Sequence, residues 1–157
     1  SEISIKEIIG LNNLVEGYSV FKLYPSSLDI RINKIEFLAI FRKNEDNFFL
    51  GSNGKFIKTT KFKNDLPVIF GEFQVEKFFE LKNAMDEINF DYNEVQNLFF
   101  FKSGRWDIET KNDLLIKLPE KNIKESLITL NNFLQTKKSS QISEVDLRQK
   151  NQIIIDG

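Results

Sequence analysis

Apolar residues in this chain come in short runs. Its purely apolar stretches, such as Phe37-Leu38-Ala39-Ile40-Phe41, Leu98-Phe99-Phe100-Phe101 and Ile153-Ile154-Ile155, have the length of strands, and a membrane-crossing helix needs about 18 or more. Turn residues stand between the runs, among them Pro25-Ser26-Ser27, Gly51-Ser52-Asn53-Gly54, Ser103-Gly104 and Asn112-Asp113. Short strands therefore dominate, with a few amphipathic helices among them, which is the α+β class. At 157 residues the chain can bury about two-thirds of its unfolded surface, enough for a core without staples.

Staples are in any case absent. The chain has neither cysteine nor histidine, which removes disulfides, thiolate and histidine zinc sites, iron–sulfur ligation, thiol nucleophiles and Ser-His-Asp catalysis. With 22 basic and 23 acidic residues the net charge is −1, so no global field draws in nucleic acid. No calcium loop or other cofactor motif appears. The chain opens at Ser1 without Met or a signal peptide, as a fragment would.

Ser4-Ile5-Lys6-Glu7 has capping-box form, with Ile5, Ile8 and Ile9 on one helical face. Tyr18 to Tyr24 and the alternating Leu28, Ile30 and Ile32 predict a hairpin across Pro25-Ser26-Ser27. Phe37 to Phe41 reads as a strand buried on both faces, followed by a charged turn over 42–47. Phe48-Phe49-Leu50 and Lys55 to Thr60 flank the Asn53-Gly54 turn. Lys61 to Asp65 is a polar loop, and Leu66 to Gly71 a short strand. A helix is expected from Phe73 to Asn89, with Val75, Phe78, Phe79, Met85 and Ile88 on its apolar stripe and Leu81 slightly off it. Strands are expected at 95–101, around Trp106 and Ile108, and at 114–118. Pro119-Glu120 should open a second helix with Ile123, Leu127, Leu130 and Leu134 on its buried face, before a polar loop over 136–141. Ile142 to Ile155 is either a strand pair or one long bent strand.

Few residues suggest chemistry. Gly51-Ser52-Asn53-Gly54-Lys55 lacks phosphate-loop spacing and reads as a turn. Asp107 and Glu109, two apart on a strand, would share a face and read as solvated. Lys55, Lys58, Lys61 and Lys63, interleaved with Phe56 and Phe62, read as a solvated loop; single-stranded nucleic acid and anionic lipid are the weaker alternatives. Trp106 beside Arg105 is either a core anchor or an exposed interface pair. The β-forming segment from Val145 to Ile155 ends the chain, where a sheet edge can accept a partner strand. Arg148 and Lys150 could equally guard that edge against pairing.

Five segments, in order, resemble the extracytoplasmic part of the bacterial cell-division family FtsQ/DivIB, in its alphaproteobacterial form. They are Tyr18 to Ile30 with its Tyr24-Pro25-Ser26 core, the hairpin from Phe48 to Ile57, Leu66-Pro67-Val68-Ile69-Phe70-Gly71, Gly104-Arg105-Trp106-Asp107 with Ile116-Lys117-Leu118-Pro119, and Asp146-Leu147-Arg148 with Asn151-Gln152-Ile153. One element departs: of the family's E-R-x-P-x-A entry to the β domain only Ala39 remains, with Lys34, Ile35 and Phe37 replacing Glu, Arg and Pro.

The resemblance implies the end of a POTRA domain (βαβ-type) over 1–34 and a mixed, mostly antiparallel β domain with two helices over 35–157. It implies a non-enzymatic divisome scaffold, without metal or cofactor. The scaffold would be anchored by one inner-membrane helix missing here and would lie on the periplasmic side of the septum. Its implied partners are coiled-coil division proteins of the FtsB/FtsL type, paired to the last strand. Leu147, Arg148, Gln149, Asn151, Gln152 and Ile153 are the implied contacts, with Arg105 and Trp106 beside them. A POTRA module of an outer-membrane assembly or secretion protein and a carboxylate hydrolase are the alternatives; the latter would need paired buried carboxylates in a cleft. Residues 1–34 are expected to be the less stable part, because an incomplete layer leaves apolar faces uncovered.

Overall fold

The computed structural model describes residues 15–23, 27–61, 65–136, 141–150 and 152–157, with the backbone alone for 15–23 and 27–33. The capping-box helix, the Pro25-Ser26 turn, Phe62, Lys63, most of the 136–141 loop and Asn151 lie outside these residues. By internal contacts the chain forms two compact units, Ser1–Phe62 and Lys63–Gly157.

The first unit holds two antiparallel groups. Strands β1 (Val15–Leu23) and β2 (Ser27–Lys34) form the expected hairpin. Strands β3 (Phe37–Lys43), β4 (Asp46–Gly51) and β5 (Phe56–Thr59) form a meander. Ala39, Ile40 and Phe41 are successively buried, so β3 is covered on both faces, as its unbroken apolar run predicts. The charged turn is tighter than expected. Only Asn44 and Glu45 lie between the strands, both at positive φ (50° and 70°), which a two-residue turn matched to strand twist requires. The next connection closes through Gly54, at φ 79°, whose N–H bonds the Gly51 carbonyl at 2.9 Å.

The second unit is a mixed sheet with helices on one face. Its strands are β6 (Val68–Phe70), β7 (Val95–Phe100), β8 (Trp106–Thr110), β9 (Leu115–Lys117), β10 (Glu144–Asp146) and β11 (Ile154–Asp156), hydrogen-bonded in that order. The β6–β7 and β9–β10 pairs are parallel. A parallel pair needs a long crossover, and each crossover here carries a helix, α1 (Val75–Glu87) and α2 (Ile123–Thr136). The other described pairs are antiparallel.

The helix expectations need three corrections. Leu81 is fully buried with Phe78 and Met85, whereas Val75, Phe79 and Ile88 are half-buried; the buried line thus runs through Leu81. Pro119-Glu120 do not open α2, because Asn122 takes a left-handed φ of 62° and helical geometry begins only at Ile123. Leu134 is exposed, leaving Leu127 and Leu130 as the helix's buried residues. These two, with Phe78, Leu81 and Met85, are buried together with Leu98, Trp106, Ile108, Ile116 and Val145 of the sheet.

Candidate partner-binding edge

The C-terminal segment resolves into a strand pair, and its first strand is the better anchored. Val145 is fully buried, and Ser143, Asp146 and Leu147 flank it with backbone bonds to neighbouring strands. In-register residues share one side of a sheet. One rung therefore places Ile108, Ile116, Val145 and Ile155 on the helix-covered face. Trp106, of the same parity, donates its indole N–H to the Lys77 carbonyl of α1 at 3.3 Å. The neighbouring rung places Asp107, Lys117, Asp146 and Ile154 on the opposite face.

That second rung is a charge network. Arg148 clamps Asp146 through Nε (2.9 and 3.1 Å) and Nη2 (2.6 Å), and its backbone N–H donates to the same carboxylate at 3.0 Å. The guanidinium holds Asp146 below the ordinary carboxylate range. Arg105 pairs with Asp107 and stacks over the Phe101 ring, 4.3 Å from its centroid. Burial pushes Asp107 upward, with the Arg105 bond opposing. Lys117 pairs with Glu144 at 3.0 Å.

Asp107 is thus not solvated as expected but 5% exposed. Asp107 and Asp146 are the buried carboxylates a hydrolase would need, yet Lys117 stands between them in register. Two strand spacings put their backbones about 10 Å apart, too far to share a proton directly. Each is bound instead by its own arginine. Among the described residues no group of His, Cys, Asp or Glu could hold a metal ion.

The outer strand β11 pairs with β10 alone among the described residues, and all three of its residues are exposed. Ile154 is 50% and Ile155 40% exposed. The expected contacts fall around this edge rather than on it. Leu147 is buried, its N–H bonding the Lys117 carbonyl at 2.9 Å. Gln149 accepts a turn bond from the Gln152 N–H at 3.2 Å, and Ile153 is half-buried outside any strand. Asn151 lies outside the described residues. Arg148 is exposed beside β10. Trp106 is fully buried against Phe73, Phe78 and Phe100. The exposed-pair reading of Arg105 and Trp106 is therefore corrected to a core anchor beside an ion-paired arginine. The expected edge segment, Val145 to Ile155, contains Ile154 and Ile155, but the named contacts did not include them, and Asp156 lay outside it. The Ile153-Ile154-Ile155 run signalled a strand, but nothing local showed that the turn before it would extend so far.

A family model described as cell division protein FtsQ/DivIB, C-terminal, matches residues 39–148, more than half of the chain. The chain belongs to the FtsQ/DivIB family. The cell division protein FtsQ of Rhizobium meliloti (strain 1021) is 25% identical over 151 residues, covering 91% of this chain and 48% of that protein. FtsQ of Rickettsia bellii (strain RML369-C) is 26% identical over 149 residues, covering 92% and 55%. The chain thus spans about half the length of these FtsQ relatives. The major extracytoplasmic domain of the trans isomer of DivIB from Geobacillus stearothermophilus aligns with a TM-score of 0.46 at 13% identity, over 68% of this chain and 99% of that one. The family is one of cell-division proteins. No helix among the described residues is long and apolar enough to cross a membrane.

Proposed function

We propose that this chain is the extracytoplasmic part of a non-enzymatic divisome scaffold, and that β11 is where it takes a partner. The partner is an FtsB/FtsL-type coiled-coil division protein, whose extended segment adds a strand to β11 by main-chain hydrogen bonds. Residues 1–34 are the end of a POTRA domain and 35–157 the β domain. One inner-membrane helix, outside this chain, holds both on the periplasmic side at the septum.

The observation that carries this reading is the contrast between two strands that each have one described partner. Strand β5 is guarded by lysines, with Lys58 on it and Lys55 and Lys61 beside it, all exposed. Lysines on an edge discourage pairing with another chain. Strand β11 has no lysine and shows two exposed isoleucines. Arg148 stands nearby, its guanidinium fixed by Asp146, where it can meet a carboxylate carried by the incoming segment.

Calorimetric titration with the periplasmic segment of the FtsB-type partner tests the reading. Proline lacks the ladder donor. Of Ile154→Pro and Ile155→Pro, one removes an N–H facing β10 and the other an N–H facing the partner, so both should abolish binding. A Lys58→Pro change on β5 should leave it intact. Unchanged affinity in both β11 variants would withdraw the site.

A further inference from the structure

We infer that β11 is a detachable strand, in exchange between a docked state and an open state that bares the outer edge of β10. The inference deepens the β11 reading above and rests on it only for its consequence, not for its physics. Three residues long, β11 buries no side chain. What holds it is the short β10 ladder, the Ser143 N–H to the Asp156 carbonyl at 2.9 Å, and the Ser143 hydroxyl to the same carbonyl at 3.2 Å. Strand β10 differs: Val145 is fully buried, Asp146 is clamped by Arg148, and Leu147 is tied to β9.

Segments with exposed ladders and no buried apolar contacts open locally, well below the free energy of global unfolding. Opening of β11 leaves the core of the second unit unchanged. A strand that adds to β11 needs the docked state, so its apparent affinity falls with the docked fraction. By reciprocity, the bound partner must hold β11 closed.

Amide hydrogen exchange on the whole chain, read by NMR, tests this without any partner. The ladder amides of β11 should exchange at least about 100-fold faster than those of Val145 and Ile116, through opening that does not involve the rest of the sheet. A chain ending at Lys150 should stay folded, with protection at Val145 and Ile116 unchanged. Equal protection in β11 and β9, or loss of protection at Val145 and Ile116 in the shortened chain, would overturn the inference. The partner segment added to the intact chain should slow β11 exchange. Failure of that step alone, with fast local opening present, would strike the binding reading and leave the detachable strand standing.

Discussion

Trp106→Phe separates a core tryptophan from a partner-binding one. The substitution removes the indole N–H that donates to the Lys77 carbonyl, a bond that ties β8 to α1. It also leaves a gap among Phe73, Phe78 and Phe100, whose rings lie 6.2, 6.5 and 4.7 Å from the indole. The lost hydrogen bond contributes about 1 kcal/mol net, and the missing ring carbons roughly another 1–2 kcal/mol. For a chain of this size a total of about 2–3 kcal/mol lowers Tm by roughly 5–10 °C. Urea and thermal unfolding followed by far-UV circular dichroism measures this, since the variant has no tryptophan to report fluorescence. The Kd for the partner segment should stay within about twofold, because the indole is fully buried on β8, three strands from β11. Unchanged stability with lost binding would refute the core assignment.

Gly71 sits at φ +99°, and a Cβ there would lie 2.2 Å from the Phe100 carbonyl oxygen. Gly71→Ala should therefore cost at least about 2 kcal/mol in urea unfolding, and a neutral result would mean that the β6 end is placed differently. Asp107 has its carboxyl pKa raised, chiefly by burial, so the folded chain takes up this proton more readily than the unfolded one. Its contribution to stability consequently rises as pH falls from neutral, and Asp107→Asn lacks that contribution. The stability gap should shift toward the wild type as pH falls from neutral toward the ordinary carboxylate range, about pH 4; a pH-independent gap would contradict the assignment. Asp146, shifted the other way by Arg148, loses its contribution at lower pH in both proteins and cancels. Lys58→Ile strips one guard from β5 and should promote concentration-dependent self-association in sedimentation. A monomer at all concentrations would show that Lys58 guards nothing.

Much of the fold was legible because its signals are local. The Gly51–Gly54 turn, the stop at Gly71 and the both-faced burial of β3 follow from residues adjacent in sequence. Leu81 was misjudged because a stripe drawn on an ideal helix does not say which side the sheet occupies. Asp107 was misjudged because strand alternation says which residues share a face, not whether partners on neighbouring strands cover it. Its covering comes from Arg105 and from in-register Lys117. The candidate edge was only half legible. The β-forming composition of 145–155 pointed to pairing, yet the ladder with β11 joins only Glu144 to Asp146 with Ile154 to Asp156, while Leu147 bonds back to β9 and Ile153 lies outside any strand. Register is fixed by long-range pairing, which no run of residues encodes by itself.

The central claim is that a partner strand adds to β11. The most direct measurement is isotope-edited NMR of the labelled chain with the unlabelled periplasmic segment of the FtsB-type partner. Strand addition predicts cross-strand contacts between the partner backbone and β11, Ile154 to Asp156, with equivalent contacts recurring at every second residue as one ladder requires. Contacts confined to the lysine-guarded β5 strand, or saturable binding with none at β11, would contradict it.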